Sequence, residues 1–168
     1  SMFQDDYNTT APTKAVYLVM PYRMAMIYAT VAQFGNINVE NGKPLIPLYY
    51  EFFASPKDET DRIALGDGKY IDKKTNSFVA HGVTTPLSTV IKVEYGENIL
   101  KPKVTKVVSG AKSGINAVYD TRRNCVAILS DGIKDSLFVK LFFEGAADER
   151  YFVPVYQNQS MAVYKIML

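Results

Sequence analysis

Side chains able to act as acid, base, nucleophile or metal ligand are thinly spread along these 168 residues. There is one histidine, His81, and one cysteine, Cys125. That pair gives no ligand spacing of the zinc kind. His81 stands in FVAHGVTT, where a strand end is a simpler role than a general base. Cys125 stands in NCVAIL, a run that reads as a strand, so a small buried hydrophobe is expected rather than a nucleophile. The carboxylates Asp5-Asp6, Asp58-Glu59-Asp61, Asp131 and Asp148-Glu149 fall in turn-rich stretches or at helix starts, where solvation and capping account for them. No G-x-S-x-G elbow occurs, and GDGKY and SGAKSG lack phosphate-loop spacing and read as turns. Lys101, Lys103, Lys106 and Lys112 read as the wet face of a strand. Nothing in this set assembles a catalytic or metal site.

The most informative stretch is apolar instead. VMPYRMAMIYATVAQFG, residues 19–35, has Pro21 suited to a first helical turn and Gly35 just past an end. Met24, Ile27, Tyr28, Val31 and Phe34 form one stripe at helical spacing, and Met26 and three alanines fill much of the rest. A helix apolar nearly all round is buried, or faces something outside the segment. Pro21, Arg23 and interspersed Tyr and Thr argue against a membrane span there.

The elements that would carry this helix follow from pattern. KAVYLVM reads as a buried strand running straight into it. Asn41-Gly42 is a hairpin signal between NINV and LIPLYYEFF. From Ser55 to about Ser113, short β-like runs alternate with turns such as Asp67-Gly68, which suggests a small antiparallel sheet or barrel-like meander. GINAVYD and CVAILSD flank a turn at TRRN. Asp131 is placed to cap an amphipathic helix whose buried side is Ile133, Leu137, Val139, Leu141 and Phe142 and which ends at Gly145. RYFVPVYQ and MAVYKIML read as two closing strands. The expected class is α+β: a strand–helix start, a β-rich antiparallel middle, and a C-terminal helix followed by two strands. The expected division is a flexible arm over 1–13 with an expression scar at Ser1-Met2, a mixed α/β core over 14–54 and 114–168, and a β-rich insertion over 55–113. The net charge of +2 gives no electrostatic case for nucleic acid.

AVYLVMPYRMAMIYATVAQFGNINVENG resembles the start of the C-terminal part of the periplasmic domain of the bacterial oligosaccharyltransferases, the PglB family. In that family a strand of the IYLYMP type leads into a helix with a Met-x-x-Ile motif, here Met24-Ala25-Met26-Ile27. DSLFVKLFFEG and YFVPVYQNQSMAVYKIML are similar to the family's final helix and last two strands. The resemblance runs from about Lys14 to Leu168, carried in the middle mainly by turn rhythm.

The resemblance implies transfer of a lipid-linked glycan onto Asn of an N-x-Ser/Thr sequon by the full-length, membrane-embedded enzyme. It implies that Ile27 meets the methyl group of the acceptor's +2 threonine and that Met24 belongs to the same wall. One methyl contact is worth about 1 kcal/mol, enough to favour Thr over Ser severalfold. The family's Trp-Trp-Asp segment is missing, since the sequence has no Trp. Divalent metal (Mn or Mg) and the lipid-linked oligosaccharide are implied only for the full-length enzyme, so the segment itself is expected to hold neither and to be inactive. Its implied partner is a sequon-bearing peptide or protein, and its implied location is the periplasmic side of an inner membrane. DYNTT places Asn8 in a candidate extended sequon; a chance match in a polar arm and a docked acceptor mimic are the two readings. Asn158-Gln159-Ser160 is a second sequon, with Tyr156 where an acid would be preferred. The competing readings are a free-standing β-rich extracytoplasmic binding module, with LYYEFF as its aromatic platform, and a small hydrolase, which the shortage of His and Cys disfavours.

Overall fold

A computed structural model describes residues 14–26, 38–40, 43–45, 49–146 and 148–168. The expected arm with Asn8, the later helix positions from Ile27 to Gly35, and the Asn41-Gly42 turn lie outside the described residues.

Strand β1 (Val16–Pro21) leads into helix α1, residues 22–26. A hairpin of β2 (Asn38–Glu40) and β3 (Lys43–Leu45) follows, then β4 (Tyr50–Ala54). A meander comprises β5 (Lys57–Asp58), β6 (Arg62–Gly66), β7 (Lys69–Asp72), β8 (Ser77–Ala80) and β9 (Val83–Pro86). β10 (Thr89–Asn98) and β11 (Lys101–Val108) form one hairpin, β12 (Ile115–Asp120) and β13 (Cys125–Ser130) another. Helices α2 (Asp131–Lys134) and α3 (Leu137–Val139) and a π-helical turn (Lys140–Glu144) precede β14 (Phe152–Gln157) and β15 (Met161–Ile166).

Apart from the two-stranded β2–β3 hairpin, the described strands form three stacked layers. The middle layer is a five-stranded sheet, β11-β10-β12-β13-β4, antiparallel except for the parallel pair β10/β12. Both of its faces are covered, and that explains why CVAILS is buried at every position instead of alternating. On one face Ile91, Val93, Val118, Cys125, Ala127 and Leu129 meet Met20, Ala25, Ala162 and Tyr164 together with the C-terminal helical segment. On the other, Phe53, Ala117, Val126 and Ile128 meet Ile63, Leu65, Ile71 and Phe78 of the meander. The third layer is a three-stranded antiparallel sheet, β1-β15-β14, which pairs the first described strand with the last two.

Local chemistry sets the turns. Asp67-Gly68 and His81-Gly82 both take positive φ at two successive residues (52° and 73°; 51° and 73°), the conformation of a tight two-residue hairpin. His81 is therefore an exposed turn residue. Within 55–113, the meander forms its own sheet, while β10 and β11 join the middle layer. Cys125 is fully buried, and that burial pushes its thiol pKa up.

The C-terminal helix differs from the pattern in two ways. It is not continuous: α2 ends after one turn, and the cap of the next segment is Ser136, whose hydroxyl accepts from the Val139 N–H at 3.3 Å. Asp131 makes no side-chain cap; its carboxylate accepts from Asn116 Nδ2 at 2.8 Å. Leu137 is 51% exposed, because the break rotates the following turns and gives the buried side to Val139, Leu141, Phe142 and Phe143.

Candidate functional site

Helix α1 leaves β1 without a loop. Pro21 is the last strand residue, opposite Met161 of β15, and not the first residue of the helix. The Tyr22 N–H donates to the Ser160 carbonyl at 2.7 Å, which satisfies one of the orphan donors of a helix start. That carbonyl lies in the β14–β15 turn, which Asn158 shapes. Asn158 Oδ1 accepts from the Ser160 and Met161 N–H groups at 2.8 and 2.9 Å, and its Nδ2 donates to the Tyr156 hydroxyl at 3.0 Å. The second sequon thus has its asparagine engaged in a turn.

Around this first helical turn the side chains divide. Ala25 is fully buried, Tyr22 and Met24 are half-buried against the core, and Arg23 and Met26 are exposed. Tyr22 packs edge-on against Phe52 of β4, with ring centroids 5.6 Å apart at 78°. Burial raises the Tyr22 phenol pKa, and Cys125 and Asp120 add to the rise while Arg123 opposes it. Met24 is the described member of the predicted wall. Ile27, three positions further on in sequence, and Asn8 lie outside the described residues.

What holds this turn in place was not visible as a site in the sequence. TRRN, read as a turn, carries a buried ion cluster. Asp120, Arg122 and Arg123 are 0%, 4% and 6% exposed. Asp120 Oδ1 accepts from Arg122 N–H and Nε at 3.1 and 3.0 Å. Its Oδ2 accepts from Arg122 Nη2 and Arg123 Nη1 at 3.1 and 3.0 Å. Two guanidiniums face one carboxylate, and the surplus positive charge points at a helix C-terminus. Arg122 Nη2 donates to the Phe143 carbonyl at 2.8 Å, and Arg123 Nη1 to the Phe142 carbonyl at 2.5 Å. The Tyr164 hydroxyl donates to the carbonyl of Leu141. Three carbonyls left over at the end of the π-helical turn are thereby satisfied, with cations at the negative end of the helix. Arg123 also stacks on Phe142 at 4.4 Å and donates through Nη2 to Gln157 Oε1 of β14 at 2.9 Å. Burial lowers the Arg123 pKa, and Asp120 pulls it back up. The cluster ties the middle sheet, the C-terminal helix and the sheet carrying α1 to one another. A buried Asp with two arginines after a strand, ahead of a second apolar strand, is the signal that could have revealed it.

Among the described residues no three His, Cys, Asp or Glu side chains lie close enough to hold a metal ion. No helix among them is long and apolar enough to cross a membrane.

Residues 1–41 match the family model of the STT3/PglB/AglB core domain. That stretch contains β1, α1, Met24 and Ile27. The whole chain is 25% identical, over 175 aligned residues, to the undecaprenyl-diphosphooligosaccharide–protein glycotransferase of Campylobacter jejuni, in two strains. The chain spans 24% of the length of these curated relatives. Among solved structures it is similar to the C-terminal domain of C. jejuni PglB, with a TM-score of 0.66 at 24% identity, over 95% of this chain and 58% of that one. The chain carries the fold of the PglB C-terminal domain. The α+β class and the likeness to PglB read from the two ends of the sequence both hold. The likeness to PglB also extends through the β-rich middle, where the sequence offered mainly turn rhythm.

Proposed function

We propose that this chain is the C-terminal, periplasmic part of an oligosaccharyltransferase, a glycosyltransferase that moves a lipid-linked glycan onto Asn of N-x-Ser/Thr sequons. Its own contribution is to receive the acceptor peptide: Ile27 contacts the +2 threonine methyl, and Met24 packs beside it. The observation that supports the reading is that the stretch holding Met24 and Ile27 matches the STT3/PglB/AglB core, while the rest of the chain aligns with a C. jejuni protein glycotransferase. Met24 suits the role physically. It is adaptable in shape and sits on a helical turn whose start is pinned to the β14–β15 turn.

In the longer enzyme, Ile27→Ala is expected to lower kcat/KM for Thr acceptors about fivefold more than for Ser acceptors. Met24→Ala lowers both. Equal losses for the two acceptors with Ile27→Ala overturn the reading.

The divalent ion such an enzyme uses does not fit the described residues of this chain, which offer no ligand cluster. No metal-dependent step is assigned to it, and the catalytic groups are placed on the part of the enzyme that this chain does not span. Calorimetric titration with Mn²⁺ is expected to give no saturable heat, and saturable binding refutes that placement.

A further inference from the structure

Between the meander and the middle sheet lies a cleft of ≈ 240 Å³. It opens beside the neighbours Lys92 of β10 and Tyr119 of β12. Ile71 and Val90 supply apolar lining, and Asp58, Lys73, Asn76, Lys92 and Tyr119 supply polar groups. This is the face of the middle sheet opposite to the one that packs against α1.

Part of the rim is fixed by the protein itself. Lys73 Nζ pairs with the Asp58 carboxylate and donates to the Glu59 carbonyl at 2.5 Å. Lys92 is half exposed, with Nζ 3.4 Å from Glu94 Oε1. The Tyr119 hydroxyl and the Asn76 carboxamide make no hydrogen bond among the described residues. Asn76 is held at φ 53° while its carbonyl accepts from the Leu87 N–H at 3.0 Å.

Three occupants can be weighed by their chemistry. A bare anion would use the lysines but would gain nothing from Ile71 and Val90 and would meet Asp58 unfavourably. A wholly apolar molecule would bury the amide, phenol and ammonium without partners, at a desolvation cost. A ring with an apolar face and a rim of hydroxyls satisfies both parts: the hydroxyls accept from Lys92, Asn76 and the Tyr119 hydroxyl, donate to Asp58, and the ring packs on the Tyr119 face. The cleft is smaller than a drug-sized pocket, which suits one six-membered ring rather than a chain. We propose that this cleft is a subsite for a single sugar residue. The proposal stands apart from the acceptor-peptide reading, because it uses the other face of the sheet and none of its residues.

The test is an NMR titration of the ¹⁵N-labelled 168-residue chain with glucose, N-acetylglucosamine, glucuronate and, separately, inorganic phosphate. At least one sugar is expected to give saturable amide shifts centred on residues 73–76, 90–92 and 119. Asn76→Gly is compatible with the fold, since glycine takes positive φ without strain, and it is expected to weaken binding about fivefold to tenfold. Tyr119→Phe keeps the ring and is expected to weaken it by a similar factor. No shifts with any sugar overturn the proposal. Phosphate shifts equal to those of the sugars overturn it in favour of a plain anion site. Sugar shifts that survive both substitutions unchanged place the binding elsewhere and overturn it too.

Discussion

Replacing Asp120 by Asn tests the buried ion cluster with almost no change in shape. The wild-type carboxylate accepts four hydrogen bonds from Arg122 and Arg123, and all three residues are at most 6% exposed. The amide removes the only negative charge of the cluster and turns one acceptor into a donor facing a guanidinium. Two cations then remain in low dielectric, offset only by the carbonyls of Phe142, Phe143 and the side chain of Gln157. Breaking a buried pair in this way costs about 3–5 kcal/mol. Domains have a total stability of about 5–15 kcal/mol, so about a fifth or more of it is at stake. For a chain of this size the same loss lowers Tm by about 6–20 °C. The assay is urea unfolding followed by far-UV circular dichroism at pH 7, with the m-value compared to confirm the same transition. The molecule contains its own control. Asp148 and Arg150 have the same i, i+2 spacing and make three side-chain hydrogen bonds at 2.6–3.1 Å, but on the surface. Water screens that pair and long side chains lose entropy in forming it, so Asp148→Asn is expected to leave the midpoint unchanged. A loss below about 1 kcal/mol for Asp120→Asn, or equal effects at the two sites, refutes the reasoning.

Two further expectations follow from the same region. Gly145 ends the π-helical turn at φ 60°, and a Cβ there would lie 2.8 Å from Pro102 Cδ of β11, so Gly145→Ala is expected to cost about 1–3 kcal/mol by urea unfolding; adding Pro102→Ala recovers part of the loss, and no recovery argues against the steric account. Burial pushes the Tyr164 phenol from 10.0 up to about 12, with Arg123 and Arg122 opposing, so the folded state holds that proton more tightly than the unfolded state; the resulting stabilisation, on the order of 2–3 kcal/mol, is fully present below pH 10 and is lost as pH rises from 10 through 12. Tyr164→Phe is expected to flatten that alkaline decline, and an unchanged pH profile counts against it.

Legibility in the sequence followed the range of the forces involved. Turns set by one or two residues were readable: Asp67-Gly68 is a hairpin turn, and the pairing of Glu40 with Lys43 is the one that Asn41-Gly42 announces. Burial of Cys125 was readable from composition, while Tyr50 and Phe53, offered as part of an aromatic platform, are core. The break at Ser136 was not, because an intact helix and a broken one with a π-helical turn bury much the same apolar residues. What separates them is where three carbonyls point, and their donors stand at Arg122, Arg123 and Tyr164, about twenty residues away on either side. The assembly of three layers was equally hidden. Nothing local tells β10 and β11 to join the middle sheet while β5–β9 form their own. Of the candidate site, the sequence named Met24 through a family motif, and its pattern could not show which neighbours fix the helix that carries it.

Those neighbours come from the far end of the chain, and this determines how the proposed peptide wall is built. Strand β15 lies between β1 and β14, so β1 reaches its sheet only through residues 161–166. The first helical N–H of α1 is satisfied by residue 160, and the sheet below is tied to the middle layer through Gln157 and to the C-terminal helical segment through Tyr164. In the proposed reading α1 offers a surface to a peptide, and that role needs a support that holds the helix in place. The fold supplies that support from chain segments more than a hundred residues apart in sequence, at the entropic cost that such closure carries. The buried arginines act at the same junction. Their strict geometry fixes the C-terminal helix against both sheets, whereas apolar packing alone would tolerate small slips between layers. Arg123 reaches β14 through Gln157, and β14, β15 and β1 are neighbours in one sheet, so in the proposed reading the cluster near Asp120 supports the helix that carries Met24.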